Sequence, residues 1–141
     1  MGELAAGAGV TTGALYHHFE NKLGLYTFVR TDAERRLLDR MEGAAAAHRE
    51  DGVGVTVRSV MLVGFDFAVD QDFIRLLGEV HPGSDSDPVA TLLGALSHAE
   101  RPPLGRVLVA AWRAALLAVS DGEPSDEART ALQMLTVAEA T

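Results

Sequence analysis

The amino-acid sequence predicts an all-α protein, and three features of it carry that expectation. Hydrophobic residues make up 48% of the chain but aromatic residues only 6%, with fourteen glycines and many alanines. Such a composition suits closely packed helices better than a β-sandwich. Leu25, Val29, Ala33, Leu37, Met41 and Ala44 recur at three- and four-residue spacing, the period of one helix face. Helix punctuation then divides the chain: Asp51-Gly52, Arg101-Pro102-Pro103 and Asp121-Gly122 break helices, while Asp87-Pro88 and Ser125-Asp126-Glu127 open them. At 141 residues the chain is one domain's worth, enough for one core or for a small head joined to a larger body.

Taken in order, Gly2–Ala8 is a short helix with small residues on its packing side. Gly9 supplies a left-handed turn that lets a second helix cross the first steeply. Thr11 is a sound N-cap, since its hydroxyl can accept from a free N–H of the next turn. Val10 and Leu15 fall at the two positions of a hydrophobic staple. Leu15 and Phe19 lie four apart and face inward, leaving Thr12, Gly13, Tyr16 and His17 outside. This reads as a helix-turn-helix, with the exposed face that a DNA-reading helix needs. Asn21 caps a long helix running to about His48, with Glu34, Arg35, Arg36 and Arg40 off its apolar face and His48 and Arg49 complementing its C-terminal dipole. At about 27 residues it is a rod ~40 Å long.

The β-branched start of Val55–Val69 is compatible with a strand. No partner strand is evident, so the segment is expected to be helical, followed by another helix from about Gln71 to Gly78. His81–Asp87 is a loop. Asp87 caps a helix with Pro88 at its first position, running to about Ala99. Leu104–Ser120 carries two apolar stripes, Leu104, Leu108, Ala111 and Ala115 on one and Val107, Ala110, Ala114 and Leu117 on the other. A helix wet on one side needs only one. The last helix carries Ala128, Ala131, Leu132, Leu135 and Ala138, with Met134 and Val137 beside them. These two helices look like half of a four-helix bundle completed by a second copy, or else a core made within one chain.

Charge is unevenly spread. The net charge is -8, yet residues 1–30 sum to zero, with Glu3 and Glu20 against Lys22 and Arg30. Residues 31–60 sum to minus one and residues 61–141 to minus seven, so the acidity belongs to the body. The absence of cysteine excludes disulfides, thiolate nucleophiles and cysteine-based metal sites. His17 and His18 are adjacent on a helix and point apart, and Glu79 and His81 have the wrong spacing for a helical metal pair. No metal is expected. No serine, histidine and acid form a triad, so no catalytic residue is expected and the chain reads as a non-enzyme with no cofactor. Met1-Gly2-Glu3 lacks the basic region and apolar run of a signal peptide. Val107–Val119 is interrupted by Arg113 and too short to span a bilayer. A cytoplasmic protein with no membrane partner is expected.

The segments Leu4-Ala5, Gly9-Val10-Thr11-Thr12-Gly13-Ala14-Leu15-Tyr16-His17-His18-Phe19 and Asn21-Lys22-Leu23-Gly24-Leu25 resemble the tetracycline-repressor (TetR) family of bacterial one-component regulators. Members place a similar Tyr-His-His-Phe at the end of the recognition helix and a lysine at the opening of the next. The resemblance is specific over about 25 residues and diffuse beyond them. The family has a complete extra helix before this point, whereas this sequence opens on the first helix of the helix-turn-helix, so an N-terminally truncated head is expected. Two regions follow: residues 1–48, the helix-turn-helix with its connecting helix, and residues 53–141, a ligand-binding and dimerisation domain.

The resemblance implies a regulator, in the first instance a repressor, that binds palindromic double-stranded operator DNA as a homodimer. A small apolar or amphipathic ligand would release it. Thr11, Thr12, Gly13, Tyr16, His17 and Lys22 are the implied DNA-contacting residues. Tyr16 is also a candidate core aromatic, and Thr11 has a purely structural use as a cap. Lys22 opposes the helix dipole, and a nearby DNA phosphate would compensate it. Met61, Phe65, Phe73, His81 and Trp112 are the candidate ligand pocket, with ordinary core as the alternative for each. Asp66, Arg75 and His81 are candidates to fix a polar group of the ligand. Leu104, Leu108, Ala111, Ala115, Leu132 and Leu135 are the candidate dimer interface. The alternative function is a ligand-binding, dimerising protein that does not bind DNA by itself.

Overall fold

The computed structural model describes residues 22–80, 86–97 and 103–138. Six helices lie among the described residues: α1 (Lys22–Ala47), α2 (Val53–Asp70), α3 (Ile74–Gly78), α4 (Pro88–Leu96), α5 (Pro103–Ser120) and α6 (Ser125–Gln133). No described residue is in a strand. The fold is all-α as the sequence predicts, and the strand alternative at Val55 falls. The chain divides into two compact units, Met1–Glu34 and Arg35–Thr141.

The described part of the first unit is the start of α1. Leu25, Arg30 and Ala33 are buried there, whereas Leu23 and Phe28 are 72% and 55% exposed. In the second unit α1 continues its apolar face with Leu37 and Met41, both fully buried. The Met41 side chain packs over Gly64 of α2. The helix closes at Ala47, where the His48 N–H still reaches the Ala44 carbonyl at 3.2 Å and the Asp51 N–H turns back to the His48 carbonyl at 3.0 Å.

Gly52 precedes α2 with φ of 93° and offers no side-chain cap. That dihedral belongs to the left-handed side that glycine adopts without a steric penalty. The Thr56 hydroxyl instead donates backward, to the carbonyls of His48 (2.7 Å) and Gly52 (2.8 Å), tying the turn to the new helix. α2 buries a wide face that includes Val57, Val60, Met61, Phe65, Phe67 and Ala68, because it packs against α3, α4, α5 and α6.

Asp72, with φ of 59°, ends α2 in a left-handed turn in which the Phe73 N–H bonds to the Ala68 carbonyl at 2.8 Å. This turn occupies residues 71–73, so α3 begins at Ile74 and not at Gln71. Asp87 caps α4 as the sequence predicts. Its Oδ1 accepts from the N–H groups of Val89 (3.0 Å) and Ala90 (3.4 Å), with Pro88 in the first turn.

α5 is the centre of this unit, packed on α2, α3, α4 and α6, with Leu108, Val109, Trp112 and Leu116 buried. By length and composition its 18 residues, of mean hydropathy 1.3, suffice to cross a membrane. α6 is shorter than predicted. It stops at Gln133, its last turn closed by the Met134 N–H onto the carbonyls of Thr130 and Ala131. Leu135, Thr136 and Ala138 are exposed, so burial does not hold them in a helix, and the tail passes α2 with the Val137 carbonyl 3.0 Å from where a Cβ on Gly54 would stand.

Candidate functional site

Among the residues assigned to DNA, Thr11, Thr12, Gly13, Tyr16 and His17 lie outside the described residues. Lys22 is described. It is the first residue of α1 and exposed, and α1 has no acidic residue in its first turn to offset it. Within the same unit Arg30 is 1% exposed. Its Nε donates to Glu34 Oε1 at 3.2 Å and its Nη1 to the Tyr26 hydroxyl at 3.5 Å. A buried guanidinium needs such partners, since unpaired it would lose its hydration without return.

In the second unit the sequence-predicted pocket residues separate. Met61, Phe65 and Trp112 are buried in the core, where the Trp112 indole N–H donates to the Met61 carbonyl at 3.1 Å. Phe73 is half-buried elsewhere, its ring 6.2 Å from that of Phe67. The Arg36 guanidinium lies over both rings and the Arg40 guanidinium over Phe67. Arg36 also donates to Gln71 Oε1 at 2.9 Å. His81 lies outside the described residues.

The polar candidates are already engaged. Both carboxylate oxygens of Asp66 accept from Arg129, at 2.9 and 3.1 Å. Those hydrogen bonds, aided by the carboxylate's charge and opposed by burial, hold the Arg129 guanidinium above its ordinary range. Arg75 points to solvent beside Glu79 at 3.5 Å.

Sequence reasoning missed Arg113, noted only as a break in an apolar run. It is buried, with Nη1 donating to the Leu77 carbonyl at 3.0 Å and Nη2 to Asp87 Oδ2 at 2.6 Å. One residue thus ties the end of α3 to the cap of α4. The detectable signal was a cation in the middle of the apolar run Val107–Val119, which requires a buried counter-charge somewhere in the fold.

An open cavity of about 470 Å³ lies where the C-terminal end of α1 meets the first turn of α2. α1 lines it with Glu42, Ala45, Ala46 and the succeeding Arg49; α2 lines it with Val53 and Thr56, and Leu96 of α4 completes the wall. Met61, Phe65, Phe73 and Trp112 are not among the described residues that line it.

The dimer candidates are also placed by this unit. Leu108 and Leu132 are buried within their own chain, and Leu135 is 40% exposed. Leu104, Ala111 and Ala115 are half-buried. Of the other stripe of α5, Val107 is 62% exposed and Ala110 and Ala114 are exposed with it, while Leu117 is half-buried beside Gly78.

The described helices define an all-α protein whose first unit ends inside a long helix. Residues 1–27 match the family model of bacterial regulatory proteins, tetR family. No curated protein and no solved structure gives a match alongside it. The matched segment contains the residues on which the resemblance to that family was read, and it supports a transcriptional regulator that binds DNA through a helix-turn-helix.

Proposed function

We propose that the chain is a ligand-responsive regulator of the TetR type, acting as a homodimer on palindromic operator DNA. The observation that carries this reading is the family match over residues 1–27, which coincides with the helix-turn-helix pattern read from the same residues. In this proposal residues 1–48 form the DNA-reading region and residues 53–141 the sensing and dimerising region. Thr12, Gly13, Tyr16 and His17 meet the major groove or its phosphates, Thr11 caps the reading helix, and Lys22 meets a phosphate. Two heads ~34–36 Å apart, or a multiple of that, engage the two half-sites. A ligand releases the DNA by binding more tightly to a state whose head spacing no longer fits. The exposed Val107, Ala110 and Ala114 of α5 support self-association.

The test is binding of the purified chain to DNA from its own upstream region, against scrambled DNA, across a salt series. Specific binding that weakens as salt rises is expected, because phosphate contacts release counterions. The Tyr16→Ala, His17→Ala double variant is expected to lose specific affinity by about tenfold or more. Absence of specific binding by a folded dimer would refute the DNA-reading function. It would leave a ligand-binding, dimerising protein, a reading favoured by the zero net charge of residues 1–30.

A further inference from the structure

The cavity at the α1–α2 junction has its own chemistry, separate from the Met61–Trp112 core. Glu42, Ala45, Ala46 and Arg49 are spaced i, i+3, i+4 and i+7, which brings them to one side as α1 ends. The two alanines are why space exists there, since longer side chains would fill it. Val53 and Leu96 make the opposing apolar wall, and the volume of about 470 Å³ is in the range of small-molecule sites. The Thr56 hydroxyl has already donated to backbone carbonyls. Polar recognition therefore falls to the side chains of Glu42 and Arg49, the acid and the base among the described lining residues.

Neither of these two has a counter-ion among the described residues. Their neighbours do: Arg35 pairs with Asp39 at 3.7 Å, and His48 Nδ1 meets Asp51 Oδ2 at 2.8 Å. Glu50 lines a neighbouring concavity together with Arg49 and Asp51 and is not among the residues lining this one. An apolar trough is thus lined by one negative and one positive group, neither of them paired with a described residue. Their positions are seven residues apart, Glu42 within α1 and Arg49 two residues past its end at Ala47.

We propose that this cavity binds a small zwitterion whose ammonium and carboxylate are held apart by an apolar stretch, as in an ω-amino acid or a short apolar peptide. The ammonium meets Glu42, the carboxylate meets Arg49, and the apolar middle covers Ala45, Ala46, Val53 and Leu96. An α-amino acid fits this less well, because its charges are adjacent. The site stands whether or not the chain reads DNA.

The test is an NMR titration of the whole chain, without DNA, using 6-aminohexanoate as the probe. Hexanoate, hexylamine and 2-aminohexanoate, the isomer with adjacent charges, are the controls. Saturable binding of 6-aminohexanoate is expected, about fivefold tighter than that of any control, with methyl shifts at Ala45, Ala46 and Val53. Glu42 and Arg49 are exposed, so Glu42→Gln and Arg49→Gln should leave the melting curve unchanged. The first is expected to bind the probe no better than hexanoate, and the second no better than hexylamine. Ala46→Leu should weaken all four ligands by filling the cavity. The proposal is overturned if the probe fails to saturate, if its shifts lie elsewhere, if any control binds as tightly, or if either charge variant retains full affinity.

Discussion

The buried guanidinium of Arg113 shows how one residue fixes the path of the chain around it. Its fork has two fixed ends, a carbonyl at the end of α3 and the carboxylate that caps α4. Asp87 serves two tasks with two oxygens, Oδ1 to the helix N–H groups and Oδ2 to Arg113. The Arg113 side chain is 7% exposed and that of Asp87 27%, so solvent screens the pair only in part. Removing one partner strands the other, and the carboxylate's partial exposure moderates the cost. Arg113→Ala is expected to destabilise by about 2–3 kcal/mol. Asp87→Ala should cost more, because loss of the cap adds about 1 kcal/mol. Asp87→Asn, which keeps an acceptor for the cap but not the charge, should fall below Asp87→Ala. Urea unfolding of the three variants and of the double variant checks this, with the double variant expected to cost less than the sum of the singles. The arginine inside the apolar run Val107–Val119 was legible in the sequence; its partner was not, since Asp87 already had a sufficient local purpose as a cap.

Helix pairs carry the next level, and the crossing of α4 on α5 is the tightest of them. Gly94 and Gly105 face each other there, but not symmetrically. A Cβ on Gly105 would run into the Ala90 carbonyl oxygen and stand 3.0 Å from the Gly94 nitrogen, both of them backbone. A Cβ on Gly94 would meet the Gly105 Cα at 3.6 Å, an ordinary contact. Gly105→Ala is therefore expected to cost about 2–3 kcal/mol through forced separation of the helices. Gly94→Ala should be neutral or stabilising by up to about 1 kcal/mol, because alanine is the better helix former. Thermal melts of the two variants should move in opposite directions or leave Gly94→Ala unmoved. At this scale the sequence was informative where local chemistry decides the outcome. The apolar face of α1, the Asp87-Pro88 opening of α4 and the extent of α5 were all readable from spacing and capping. It was uninformative where tertiary burial decides. The run through Leu135 and Ala138 keeps helical spacing, yet nothing covers it and α6 ends at Gln133. The aromatic and methionine candidates grouped by residue type alone were divided by packing. Met61, Phe65 and Trp112 went to the core, and Phe73 went under Arg36.

At the scale of the whole molecule, the two stripes of α5 decide whether a second copy is needed. Periodicity showed that both existed but could not tell which one the chain covers for itself. The fold buries Leu108 in its own core, covers Leu104, Ala111 and Ala115 in part, and leaves Val107, Ala110 and Ala114 outside. Scattered exposed apolar residues are common on protein surfaces. Here, though, three of them share one helix face, and two are alanines, which let a second helix approach closely. A two-fold axis beside α5 would set this stripe against its own copy, the self-complementary arrangement of a closed dimer. Because all three side chains are already exposed, charged replacements there should leave the single chain folded. Val107→Asp and Ala114→Arg are accordingly expected to convert a species of twice the chain mass into one of the chain mass in sedimentation equilibrium, with helical content unchanged. Leu132→Ala separates this from a general weakening of the body. Leu132 is buried within the chain, so its truncation should lower the melting temperature through a loss of about 2–4 kcal/mol while the folded protein still dimerises. If the charged variants stay dimeric, the stripe is surface and the second copy docks elsewhere. If they become monomeric and lose binding to a palindrome while retaining weak, salt-sensitive affinity for DNA, the pairing of two heads is what converts phosphate attraction into recognition of a site.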